Sequence, residues 1–233
     1  MEMDDRLFSA YSGDYKTYYS GYISGEMSEL EVACIKNGCF LNIKFSFETL
    51  KRFSHSRPDL CGYAVSKFIS KNYINDYLIE KYKPFYVWYP SFCSYESYLY
   101  LLENFKFLKY NVGKAIIMLH YNDLYFSYDF EPEMELFVSA SVFNNKEVYE
   151  DQLSKAKEIG YFYKYLDIDS ESSLEVPLKE NIETDFGFDP NTVYGENELC
   201  EEYERKFFRS FEFNKGIEGV KELDEVVRRM GGI

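Results

Sequence analysis

The stretch from Ala115 to Val142 constrains this chain more than any other, because two separate turn signals in it agree on one alternating apolar pattern. If Asn122-Asp123 is a two-residue hairpin turn, Leu119 lies opposite Phe126, Ile117 opposite Tyr128 and Ala115 opposite Phe130. A second turn at Glu131-Pro132-Glu133 then brings Leu136, Val138 and Ala140 onto that same face. The pattern predicts a three-stranded antiparallel meander over 115–142. Its first strand is apolar on both sides and is expected at the centre of a larger sheet. The other face is mixed and carries His120, Tyr125, Asp129, Glu135 and Phe137.

A second sheet signal lies at 30–47, where Asn37-Gly38, the preferred type I′ dipeptide, separates two apolar runs. Folded about it, Leu30, Val32 and Cys34 join Leu41, Ile43 and Phe45 on one face, and Glu31 meets Lys44 on the other. Ile35 and Phe40 then point outward. The Gly-rich opening, Arg6 to Tyr11 and Tyr15 to Ile23, reads as two short strands.

Helical spacing is clear elsewhere. Leu60, Cys61, Ala64, Val65, Phe68 and Ile69 form one stripe behind Pro58, with Ser56 and Asp59 spaced as a capping box. The stripe breaks at Asn72 and resumes at Ile74, Tyr77 and Leu78. A further helix carries Tyr98, Leu101, Leu102 and Phe105, and another runs from Asn144 to a stop at Gly160. Tyr161–Ile168 and Leu174–Leu178 read as strands, and Phe85–Tyr89 as a third. Leu199 to Phe211 and Ile217 to Met230 read as a helical hairpin. The expected fold class is therefore α+β, a mainly antiparallel sheet (hairpin 30–47, meander 115–142) packed with helices. The expected organisation is a domain over 1–168, an acidic connector over 169–195 and a helical C-terminal element over 196–233 docked on the domain.

Composition narrows function by exclusion. Five Cys with no CxxC pair and only two His argue against a zinc site and favour reduced thiols. No apolar run approaches membrane-spanning length, so a cytoplasmic protein without membrane contact is expected. The formal charge is −14, and the block from Asp167 to Glu202 holds twelve Asp or Glu against one Lys, a net −11. Such a block repels phosphate, which argues against direct nucleic-acid binding and favours a basic protein surface as partner. Asp167 to Leu178 alternates like a calcium loop but lacks the Gly at the sixth position and the Glu at the twelfth. No cofactor or metal is expected.

The leading expectation is an intracellular acidic binding or inhibitor protein, of the immunity or anti-defence sort found in bacteria and phages. Asp185, Asp189, Tyr194, Glu196, Glu198, Glu201 and Glu202 are its expected contact residues. The alternative is a small transferase or hydrolase with a site around His120, Tyr125 and Asp129, an acid/base set with no nucleophile beside it. A third is a self-assembling subunit, with outward Ile35, Phe40 and Phe137 as a homodimer patch.

Overall fold

The computed structural model of the chain describes residues 5–20, 22, 25–84, 87, 91–165, 173–177 and 228. These residues hold eleven α-helices and a single two-stranded sheet, which overturns the expected sheet-rich α+β fold. Packing divides the chain into two units, one of residues 1–98 and 216–233 and the other of residues 99–215. The expected acidic connector and C-terminal helical hairpin lie almost wholly outside the described residues, and so does most of the strand expected at Phe85–Tyr89.

The first unit opens with α1 (Asp5–Tyr11) and α2 (Tyr15–Ser20), so both strands expected there are helices. The expected hairpin is two helices, α3 (Glu29–Leu41) and α4 (Ile43–Phe53), divided at Asn42 rather than at Asn37-Gly38. Ser28 caps α3 by accepting the Glu31 N–H, and the Asn42 side chain caps α4 by accepting from Lys44 N–H. Helical winding turns Glu31, Cys34, Ile35, Gly38 and Cys39 inward together, at spacings of three and four. Gly38 is needed there for proximity, since a Cβ at that position would lie 2.3 Å from the Ala10 carbonyl oxygen. Here α1 rests its backbone on α3.

Pro58 opens α5 (Pro58–Ile69), as expected, although Arg57 pairs with Asp59 in place of a capping box. Asn72 takes a left-handed conformation after α5, and Asn75 caps α6 (Asp76–Tyr82). The core of this unit is aromatic, with Tyr18, Tyr19 and Phe45 packed ring against ring among Leu50, Leu60 and Phe68. Ile35 and Phe40 are buried, contrary to the outward placement.

Helix α7 (Tyr95–Asn104) spans the division between the units. After a 3-10 turn at Lys106–Leu108, the expected meander is three helices: α8 (Lys109–Met118), α9 (Asn122–Ser127) and α10 (Met134–Val142). Of the two expected turns only Glu131-Pro132-Glu133 is a break between helices; Asn122-Asp123 opens α9, and the chain breaks just before it, at residues 119–121. A Schellman motif ends α8, with His120 left-handed at φ 56° and the Tyr121 N–H on the Ile116 carbonyl. Then α11 (Lys146–Ile159) stops at left-handed Gly160 and leads into β1 (Tyr161–Tyr165), which pairs antiparallel with β2 (Ser173–Pro177). These last three elements match the sequence reading to within a few residues.

Phe137, Val138, Leu153, Ala156 and Phe162 form one core of the second unit, with the Phe137 ring 4.7 Å from those of Tyr149 and Phe162. Phe137 is therefore buried, and all three residues of the expected homodimer patch are interior. Phe126, assigned by the meander to the apolar face, is 51% exposed.

Candidate functional site

Residues 128–133 link α9 to α10 without regular structure, and the second unit fixes them through their backbone. Four consecutive carbonyls each accept from a different donor. Lys109 of α8 donates to the Asp129 oxygen, Lys155 of α11 to that of Phe130 at 2.9 Å, and Gln152 of α11 to that of Glu131 at 3.2 Å. The Tyr163 N–H of β1 donates to the Pro132 oxygen at 2.8 Å. The Glu133 N–H donates to Gln152 Oε1 at 2.8 Å, and the Glu133 carboxylate caps α10 by accepting from the Leu136 N–H, also at 2.8 Å. Phe130 anchors the middle, stacked on Tyr125 with centroids 4.9 Å apart and planes 4° from parallel. Gly113 leaves the space this ring needs, because a Cβ there would approach it to 2.9 Å. A connecting segment held so completely is a rigid strap rather than a loop.

The arrangement sorts charge. Lys109 and Lys155 turn to backbone oxygens, and the Lys114 ammonium pairs with Glu135. The carboxylates of Asp129 and Glu131 point the other way, while that of Glu133 is buried. Asp129 has a side chain 96% exposed, with Lys155 3.7 Å distant, and Glu131 is exposed, accepting from the Tyr110 hydroxyl at 3.2 Å. The outward edge of the strap is therefore acidic, and exposed Phe126 lies three residues before Asp129.

The sequence candidates His120, Tyr125 and Asp129 do not converge as a set. The Tyr125 hydroxyl donates to Asp151 Oδ2 at 2.8 Å and accepts from Gln152 Nε2 at 2.6 Å, and burial pushes its acidity far below that of an ordinary phenol. His120 Nε2 lies 3.1 Å from the Phe143 carbonyl, at the opposite end of α10 from the strap. Tyr125 and Asp129 do share one neighbourhood, through Asp151 and Lys155, which are 3.1 Å apart. Asp129 and Glu135, both on the mixed face of the expected meander, have separate lysine partners. The expected contact residues Asp185, Asp189, Tyr194, Glu196, Glu198, Glu201 and Glu202 lie outside the described residues.

Sequence reasoning missed Glu133 and Lys114. Glu133 is only 3% exposed, and burial pushes its carboxyl up to about 7, against the lowering pull of the Leu136 N–H and Lys114. Burial also lowers Lys114 from its ordinary value. No N-cap signal marks Glu133, because Glu lies outside the Ser, Thr, Asp and Asn set favoured at that position and Glu131-Pro132-Glu133 reads as a turn. A third buried ionisable group, Lys67 of α5 in the first unit, is 5% exposed, and burial, with help from Lys71, lowers it to about 8. Its neighbour Cys39 belongs to a neutral chain in which the thiol donates to Thr49 Oγ1 at 3.3 Å and Tyr19 OH lies 2.6 Å from the same oxygen.

Among the described residues, no three His, Cys, Asp or Glu side chains are placed to hold a metal ion. None of the described helices is long and apolar enough to cross a membrane. The four described cysteines, Cys34, Cys39, Cys61 and Cys93, are free thiols.

Residues 5–85 match the model of the YKP1 N-terminal domain and residues 88–194 that of the YKP1 C-terminal domain, so the strap falls within the second match. A relative in Kluyveromyces lactis, named "Uncharacterized killer plasmid pGKl-2 protein 1", is 47% identical over 191 residues, covering 82% of this chain and 84% of its own. No solved structure matches the chain. With both domains present in order and a relative this similar along most of both chains, the protein belongs to the YKP1 family.

Proposed function

We propose that the protein is an acidic binding protein that covers a basic surface of a partner protein, inhibitory in kind, and that the strap of the second unit forms part of the contact. The carrying observation is the charge at the strap, where Lys109 and Lys155 bond to backbone oxygens while Asp129, 3.7 Å from Lys155, and Glu131 stay exposed, with half-exposed Phe126 three residues before Asp129 in the chain. A rigid segment loses little conformational entropy on binding, and exposed carboxylates on it suit a partner offering Lys or Arg. The net −11 block of 167–202 adds long-range attraction for the same partner.

Affinity capture with the intact chain, from cells that carry it, tests this reading. The relative's origin on a killer plasmid directs the search first to proteins such a plasmid encodes. A basic protein should be retained, and the Asp129→Asn, Glu131→Gln double variant should retain it less, with association slowed as salt rises because screening shortens the reach of charge to below about 10 Å. Retention of a partner with no basic surface, or retention unchanged in the variant and in salt, rejects the reading.

A further inference from the structure

The carboxyl of Glu133 sits at the inner end of the strap, with charged or polar groups approaching from α8, α11, β1 and the strap itself. From α8 comes Lys114, whose side chain is 14% exposed and whose ammonium is bonded to Glu135 of α10. From β1 comes exposed Lys164, and from α11 the neutral Gln152, while Lys155 is engaged with Asp151, Asp129 and the Phe130 oxygen. The strap itself contributes Glu131, which is turned to solvent. One sheltered ammonium thus stands with two carboxyl groups. With a proton on Glu133, Lys114 and Glu135 cancel and the cluster is neutral. Without it, the cluster holds an uncompensated negative charge at a position almost closed to water, which is costly in a low-dielectric interior.

We propose that Glu133, Lys114 and Glu135 form a proton-operated latch on the strap, closed while Glu133 carries its proton and released when that proton leaves to solvent. On release, the Glu133 carboxylate moves toward water, and the Leu136 N–H and the Tyr163 N–H bond to Pro132 open with it. The upward shift of the Glu133 carboxyl to about 7 puts the change within the physiological range. The regulatory meaning of the latch rests on the docking reading, since it would make presentation of Asp129 and Glu131 depend on pH. The latch itself does not rest on it, and it is measured without a partner, so either can fail alone.

Amide hydrogen exchange of the whole chain, corrected for the intrinsic pH dependence of exchange, reads the latch directly. Between about pH 6 and about pH 8, protection at Leu136 and Tyr163 should fall roughly tenfold, while Tyr149, bonded to the Asn145 carbonyl within α11, keeps its protection. Glu133→Gln mimics the protonated side chain and should abolish the fall. Glu135→Gln leaves Lys114 to Glu133 alone and should abolish it too, which keeps the test decisive if the first variant does not fold. Constant wild-type protection, an equal fall at Tyr149, or a full fall persisting in Glu135→Gln overturns the latch.

Discussion

The first unit joins its helices through neutral hydroxyls, close backbone approach and one ion pair, Arg6 of α1 with Glu31 of α3, whereas the second ties its strap down with ionisable side chains bonded to backbone. In the first, Tyr19, Thr49 and Cys39 form a chain of hydroxyls and a thiol, and Gly38 lets α1 rest on α3. In the second, Lys109, Lys155 and Glu133 do the fastening. Among the described residues, each unit also buries an ionisable group whose charge is poorly compensated, and the two have opposite sign: Lys67 in the first and Glu133 in the second. Similar helical packing can therefore hide opposite responses to pH, because hydrophobic burial is indifferent to protons and buried charge is not.

The largest expected effect tests whether the strap depends on its ring anchor. Phe130→Ala should cost about 3–5 kcal/mol by denaturant unfolding, while Phe126→Ala, half exposed, should cost under about 1 kcal/mol. Equal costs would mean that α9 is rotated relative to the arrangement described. Next in size is Gly38→Ala, expected to cost about 3 kcal/mol because the new methyl would strike the Ala10 carbonyl oxygen. A neutral result would remove the backbone contact that distinguishes the first unit.

The pH responses should come to about 3 kcal/mol each, from folded values moved to about 7 for Glu133 and about 8 for Lys67. The folded value of Glu133 is raised above its ordinary 4.5, so its contribution is complete below about 4.5 and is lost as pH rises through about 7. The folded value of Lys67 is depressed below its ordinary 10.5, so its contribution is complete above about 10.5 and is lost as pH falls through about 8. Lys67→Met should therefore raise the denaturant midpoint at neutral pH, with the gain fading toward about pH 10.5. Glu133→Gln should raise it above about pH 7 and do little near pH 4.5. Variants that shift the midpoint equally at all pH values would erase the contrast between the units. The smallest effect sharpens it: Asp129→Asn should change stability by under about 0.5 kcal/mol, since an exposed pair 3.7 Å apart is largely screened.

Helices with a clear start or stop signal were legible, as in α5 behind Pro58 and α11 before Gly160, and so were the strands β1 and β2, though not their pairing. The hairpin expected at 30–47 failed because apolar residues surround α3, hiding its period, and because its inward stripe includes Glu31 and Gly38. Gly38 looked like a turn residue but meets a packing need set by Ala10, far away in sequence. Over 115–142 the helices span six to ten residues, too few turns for a 3.6 period to outweigh an alternation that arose by chance. Asp129 and Tyr125 were singled out from sequence, but their surroundings were not, because Lys109, Lys155 and Gln152 reach the strap from helices about twenty residues to either side. Spacing along a chain carries no trace of such contacts.

The four carbonyls of the strap also limit how this segment can change in length. Connections between helices normally accept an added or deleted residue, since their backbone is satisfied by water. Here one extra residue between Asp129 and Pro132 would move every later carbonyl out of step with Lys155, Gln152 and Tyr163, and would pull Phe130 or Glu133 from its place. The segment can therefore change its exposed side chains freely while its residue count stays fixed, so that diversification in this part of the molecule proceeds by substitution alone.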